Sequence, residues 1–101
     1  MSHKLIQKHL LHGTFEYELL DECVKVKTTS RLGAKKELDV VLSILNPEPV
    51  ISDNQLHFHS RVKCGPLISL YIDKPNAQEF NAFVEAVKAK AKSEFDAFAG
   101  L

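Results

Sequence analysis

The chain has 101 residues, 45% of them hydrophobic, and its 13 lysines and arginines are balanced by 13 aspartates and glutamates. A chain of this size and hydrophobicity can bury a core of its own, so we expect one domain over residues 1–101 and no long disordered part. Zero net charge argues against a nucleic-acid binder, because the neutralisation of phosphates calls for an excess of basic residues.

The first apolar segment is residues 4–12, which we interpret as a short helix that ends at Gly13. Its apolar residues are Leu5, Ile6, Leu10 and Leu11. Glycine after the last helical residue is a common helix stop, which favours this assignment.

A hairpin follows, with strands at residues 14–20 and 23–29 around a turn at Asp21 and Glu22. Apolar and charged residues alternate in both strands, so one register matches apolar with apolar side chains and acid with base. That register pairs Leu19 with Val24, Glu18 with Lys25, Tyr17 with Val26, and Glu16 with Lys27. A slip of one residue would destroy both matches at once.

The middle of the chain contains a loop over residues 30–36, a strand with alternating apolar residues over 38–44, and a break at Asn46-Pro-Glu-Pro49. Val50 and Ile51 are expected to form a short edge strand. A second hairpin is predicted over residues 55–63 and 67–72, around a three-residue loop. Its predicted register pairs Val62 with Ile68, Ser60 with Leu70, Phe58 with Ile72, and His57 with Asp73.

The last element is an amphipathic helix that begins after Asn76, an N-cap residue followed three positions later by Glu79. Its apolar stripe consists of Phe80, Phe83, Val84, Val87, Ala91, Phe95 and Phe98. A helix over 76–98 is about 34 Å long and a six-residue strand about 20 Å, so the last turns should overhang the sheet. Phe95, Phe98 and Leu101 are therefore predicted to form a homodimer interface, unless the N-terminal apolar segment covers them.

The order of these elements resembles a pleckstrin-homology-like domain of the small bacterial type. The residues that carry the resemblance are the strand Leu67-Ile-Ser-Leu-Tyr-Ile72, the link Asp73-Lys-Pro-Asn76 and the helix start Glu79-Phe-Asn-Ala-Phe-Val-Glu-Ala-Val87. The resemblance implies an α+β fold, with a C-terminal helix against a curved antiparallel sheet or partial barrel. It also implies a binding or assembly module. We count five or six strands where the family has seven, and the chain lacks the tryptophan often found on the helix of eukaryotic members.

A basic stretch supplies the first candidate site. Residues 25–36 contain five basic residues and no acid, and Lys25 and Lys27 are expected to face Glu18 and Glu16. Arg31, Lys35 and Lys36 remain as candidate anion ligands. In the family that the chain resembles, basic residues near an early loop contact phosphoinositide headgroups. The alternative is that these three charges only solvate the surface.

The histidines supply a second candidate. His57 and His59 lie on one strand face, as in some metal sites, but no third ligand is evident and Arg61 and Lys63 would repel a cation. We therefore expect no metal and no cofactor. An enzyme that uses a pair of His57 and Asp73 is the alternative function, although no nucleophile motif or phosphate-binding loop accompanies the pair.

The two cysteines, Cys23 and Cys64, are far apart in sequence and suit a reducing compartment. No segment is long and apolar enough for a transmembrane helix, and the N-terminus does not read as a signal peptide. We therefore expect a cytoplasmic, non-catalytic binding or assembly domain that self-associates and whose ligand the sequence does not identify.

Overall fold

The computed structural model describes residues 3–9, 11, 13–62 and 65–99 of the chain. These residues form seven strands: β1 His3–His9, β2 Gly13–Leu19, β3 Cys23–Thr29, β4 Lys35–Val41, β5 Val50–Ser52, β6 Gln55–His59 and β7 Pro66–Tyr71. A short 3-10 helix, Leu42–Ile44, follows β4, and the helix α1, Ala77–Ala99, follows β7. No helix in these ranges is long and apolar enough to cross a membrane.

The strands form two antiparallel sheets, one in the order β1-β2-β3-β4 and the other in the order β5-β6-β7. The α+β class and the C-terminal helix are confirmed. The expected single curved sheet or partial barrel of five or six strands is wrong, because the described residues form seven strands in two separate sheets. The 3-10 helix and the two prolines at Pro47 and Pro49 divide the chain where the sheets part, since proline cannot donate to a strand ladder.

The predicted helix over residues 4–12 is wrong, because His3–His9 form the edge strand β1. Leu5 and Gln7 are buried on one face, while Lys4, Ile6 and Lys8 are exposed on the other. This alternation has a period of two, as expected of a strand. A polar residue, Gln7, takes one of the buried positions, and this concealed the alternation in the sequence.

The register predicted for the first hairpin is confirmed: all four pairs, from Leu19 with Val24 to Glu16 with Lys27, are present. The register predicted for the second hairpin is wrong by four residues. Phe58 lies opposite Ile68 instead of Ile72, and His57 lies opposite Ser69 instead of Asp73. The shift is even, so it leaves the same side chains on the buried face.

The second hairpin is displaced because the chain leaves β6 to pair with residues far away in sequence. Ser60 forms a bridge with Leu45, and the backbone N–H of Arg61 donates to the carbonyl of Ile44 at 2.7 Å. The backbone N–H of Asn46 in turn donates to the carbonyl of His59 at 2.8 Å. These contacts occupy residues that the predicted register had placed inside the strand.

The core lies between the two sheets and the helix. Its buried apolar residues include Leu5, Tyr17 and Val24 of the first sheet, and Phe58 and Leu70 of the second. The helix contributes Phe80, Phe83, Val84, Val87 and Ala91. The predicted cap is confirmed, because Asn76 Oδ1 accepts from the backbone N–H of Glu79 at 2.8 Å. Phe95 and Phe98 belong to α1, but their side chains, and the whole of Leu101, lie outside the described part of the structure.

Candidate anion-binding groove

The face of the first sheet that points away from the core carries charged side chains in cross-strand rows. One row consists of Lys4, Glu18, Lys25 and Asp39, the next of Ile6, Glu16, Lys27 and Glu37, and the third of Lys8, Thr14, Thr29 and Lys35. Acid and base alternate along the first row, and along the second from Glu16 onward, which stabilises neighbouring strands. The third row contains no acid and lies at the end of the sheet beside the β3–β4 turn.

A groove of about 420 Å³ lies at this end of the sheet, across β2, β3 and β4. Three lysines, three threonines and two glutamates line it: Lys27, Lys35, Lys36, Thr14, Thr28, Thr29, Glu16 and Glu37. Ammonium groups and hydroxyls are suitable donors to the oxygens of an anion. What the groove can bind therefore depends on whether the two glutamates neutralise its lysines.

The two glutamates pair with lysines that do not line the groove. Glu16 Oε1 lies 3.1 Å from Lys4 Nζ, and Glu37 Oε1 lies 3.3 Å from Lys25 Nζ. A hydrogen bond and the charge of Glu16 raise the pKa of Lys4, and Glu37 raises the pKa of Lys25 in the same way. Among the described residues, Lys27, Lys35 and Lys36 form no ion pair. The outer face at the groove thus keeps two lysines without an ion pair to a described residue, Lys27 and Lys35, and Lys36 lies at the end of the groove on the alternate face of β4.

Arg31 lies in the turn between β3 and β4, next to the groove but not in its lining. Three hydrogen bonds hold the turn: Ser30 N–H to Ala34 O at 2.8 Å, Gly33 N–H to Ser30 O at 3.0 Å, and Ala34 N–H to Ser30 Oγ at 3.1 Å. The turn also uses the positive φ of Gly33, which glycine adopts without strain. The guanidinium of Arg31 is therefore exposed at the rim of the groove.

The structure brings two of the three predicted anion ligands, Lys35 and Lys36, together in the groove and places Arg31 beside it. It also adds Lys27, which the sequence had assigned to Glu16. Lys27 does lie opposite Glu16, but Glu16 pairs with Lys4 of β1. Lys4 and Lys27 thus compete for Glu16. This competition would have been evident if β1 had been predicted as a strand, because β1 places Lys4 and Ile6 beside β2.

The histidine pair lies on the outer face of the second sheet. His57 Nδ1 is 2.8 Å from Ser69 Oγ, and the ring of His59 stands edge-on to that of His57 with 6.3 Å between centroids. The expected pair of His57 and Asp73 does not form, because His57 faces Ser69 in the observed register. Asp73 instead lines a separate cavity with Lys8, His9 and Asn54.

On the histidine face, the described residues show one side-chain partner of His57, the hydroxyl of Ser69. Within residues 3–9, 11, 13–62 and 65–99, no three histidine, cysteine, aspartate or glutamate side chains cluster closely enough to hold a metal ion. Arg61 does not share this face as expected, since its Nε donates to the carbonyl of Leu45 at 2.9 Å. A histidine that activates a serine is normally oriented by a carboxylate, and no described carboxylate bonds to His57. Lys63 and Cys64 lie outside the described residues.

The chain matches no family model, and no curated protein or solved structure was found to be similar to it.

Proposed function

We propose that this protein is a non-catalytic binding module that holds phosphate-bearing anions in the groove across β2, β3 and β4. The observation that carries the proposal is the pairing of Glu16 and Glu37 with Lys4 and Lys25. This pairing leaves Lys27 and Lys35, which share the outer face of the sheet at the groove, without an ion pair in the described part of the chain; Lys36 also lines the groove but, opposite Thr28, alternates to the other face of β4. Phosphate oxygens accept charge-assisted hydrogen bonds from lysine ammonium groups, and the threonine hydroxyls offer further donors.

The resemblance to pleckstrin-homology-like domains supports a binding role. The described residues form seven strands, the number that the family has, although in two separate sheets and not in the curved sheet or partial barrel that the resemblance implies. The resemblance implies phosphoinositide headgroups as ligands, and a free phosphate compound offers the same chemistry. The proposal therefore names the phosphate group as the ligand, and lipid and soluble sources are separated by experiment.

An enzymatic function is less well supported, because the pairing of His57 with Asp73 on which it rested is replaced by a pairing with Ser69. The proposal therefore includes no cofactor. A cytoplasmic location, which fits a free cysteine at Cys23 and an anionic inner membrane surface, is part of the same proposal.

The test compares two triple variants with the same change of net charge. Changing Arg31, Lys35 and Lys36 to Ala removes cations at the groove, and changing Lys88, Lys90 and Lys92 to Ala removes three from the helix. Binding is measured by calorimetry with inorganic pyrophosphate, and by sedimentation with phosphatidylcholine vesicles that contain or lack phosphatidylserine. Each basic residue near an anionic surface contributes about 1 kcal/mol, so the groove variant should lose about 100-fold in vesicle affinity.

The helix variant should keep most of the wild-type affinity for both probes, and Lys27→Ala alone should weaken pyrophosphate binding. Binding should also fall as salt is added, because the contacts are ionic. Equal losses in the two triple variants would show that net charge and not the groove binds the anion. A wild-type chain that binds neither probe would refute the proposal.

A further inference from the structure

Leu32 is the most exposed large apolar residue in the described part of the chain, with 97% of its surface accessible. It lies at the tip of the β3–β4 turn, next to Arg31. The three hydrogen bonds of this turn, which join Ser30 to Gly33 and Ala34, fix its backbone. The exposure of Leu32 is therefore built into an ordered turn.

A second exposed leucine lies at the same end of the sheet. Leu11 belongs to the turn between β1 and β2, and 68% of its surface is accessible. The registers of the first sheet place the β1–β2 and β3–β4 turns side by side beyond the same strand ends. The ends of β2 and β3 that border these turns are in close contact, because a Cβ on Gly13 would collide with the carbonyl oxygen of Thr29. Gly13 has a φ of 97°, so only glycine fits there without strain.

Basic residues outnumber acids at one end of the first sheet, although the net charge of the whole chain is zero. The end with the exposed leucines carries five basic residues, Lys8, Lys27, Arg31, Lys35 and Lys36, against two acids in the row of Lys27, Glu16 and Glu37. The β2–β3 turn at the opposite end carries Asp21 and Glu22. A negatively charged surface would therefore orient the molecule with the two leucines towards it.

We infer that this end of the first sheet docks on an anionic lipid surface, with Leu32 and Leu11 entering the apolar boundary and the basic residues contacting the headgroups. The inference rests on the proposed function and selects a membrane as the source of the phosphate. The leucines lie at turn tips, and most of the cations lie behind them at the strand ends. A bilayer presents the matching layers, with charged headgroups outside and acyl chains beneath.

The chain contains no tryptophan, so a single substitution provides a reporter of insertion. The emission of Leu32→Trp should shift to shorter wavelength when phosphatidylserine-containing vesicles are added. Val41→Trp is the matched control, because Val41 is 48% exposed at the opposite end of β4. Its emission should stay unchanged on the same vesicles. A Leu32→Trp chain that binds vesicles without a shift would overturn insertion and assign the leucines to a protein partner.

Leu32→Ser separates the inference from the proposed function. Burial of one leucine side chain is worth about 10- to 100-fold in partitioning, so vesicle affinity should fall by at least about tenfold while pyrophosphate affinity stays within about twofold. Leu11→Ser should act in the same direction. Unchanged vesicle binding in Leu32→Ser, together with loss in the Arg31, Lys35 and Lys36 variant, would overturn membrane insertion and leave the groove intact. No binding of either probe by the wild-type chain would overturn both.

Discussion

The side chain of Gln7 pairs with the backbone of Tyr71 as a neighbouring strand would. Its Oε1 accepts from the Tyr71 N–H at 2.9 Å, and its Nε2 donates to the Tyr71 carbonyl at 2.7 Å and to the Lys74 carbonyl at 3.0 Å. Gln7 is completely buried, with 0% of its surface accessible. One carboxamide on β1 thus satisfies backbone groups at the end of β7 and joins the two sheets where no described strand ladder connects them.

Gln7→Leu should therefore destabilise the protein by about 2–4 kcal/mol. The substitution preserves much of the volume but leaves the N–H and carbonyl of Tyr71 without their partner, and each unsatisfied buried group costs about 1–3 kcal/mol. Urea unfolding followed by circular dichroism measures the change. Gln78→Leu, at an exposed position in α1, is the control and should change stability by less than about 0.5 kcal/mol. Similar effects of the two variants would show that the Gln7 hydrogen bonds contribute little.

Stability should fall at alkaline pH in a way that depends on Tyr17. Burial foremost, and the nearby Tyr71 in addition, raise the pKa of Tyr17, and its hydroxyl donates to the Ser69 carbonyl at 2.9 Å. The folded state therefore keeps this proton where the unfolded state, with a pKa of about 10, releases it. This contribution is fully present below about pH 10 and is lost as the pH rises above that value.

Tyr17→Phe isolates this contribution, because Lys4, Lys25 and Cys23, whose pKa values are also raised, remain in place. Near neutral pH the variant should be about 1 kcal/mol less stable, since it lacks the hydrogen bond to Ser69. Between about pH 10 and about pH 11 its stability should decline less steeply than that of the wild type. Parallel declines in urea-unfolding series at these pH values would contradict the prediction.

Elements that are determined by residues close together in sequence were predicted correctly, and an element whose end is set by contacts with distant residues was not. The register of the first hairpin was predicted to the residue because it follows from the alternation within the hairpin itself, with Glu18 opposite Lys25. The helix cap at Asn76 is equally local. The second hairpin was misplaced because contacts of Ser60 and Arg61 with residues 44 and 45 set its end, and no local pattern encodes those contacts.

The same distinction applies to the groove. Arg31, Lys35 and Lys36 were found from the local excess of basic residues. Lys27 was missed because its lack of an ion pair depends on Lys4, which belongs to a strand that was predicted to be a helix. Gln7 was missed for a related reason, since nothing local distinguishes a buried glutamine whose partner lies 64 positions away from an exposed one.

Self-association through Phe95, Phe98 and Leu101 remains a prediction, because their side chains lie outside the described residues. The alternative, cover of Phe95 and Phe98 by Leu5, Ile6, Leu10 and Leu11 of the same chain, also remains a prediction; residues 3–9 form β1, with Leu5 in the core and Ile6 on the opposite, exposed face. Light scattering at micromolar concentration should show a dimer. Changing Phe95 and Phe98 to Ser should dissociate it, and Leu32→Ser, at the far end of the first sheet, should not. A mass that stays monomeric at all concentrations would reject the dimer.

Lys4 should influence anion binding although it does not line the groove. It holds Glu16 at 3.1 Å, and Glu16 is the cross-strand neighbour of Lys27. In Lys4→Ala the released carboxylate can turn to Lys27, so pyrophosphate affinity should fall by about 2- to 5-fold, the range of an exposed ion pair. Glu16→Gln should raise the affinity by a similar factor.

Net charge alone predicts the same two signs, and the double variant separates the explanations. With Glu16 changed to Gln, Lys4→Ala should have almost no further effect, because no carboxylate is left to release. Additive effects in this cycle, measured by calorimetry, would show that Lys4 acts at long range and not through Glu16.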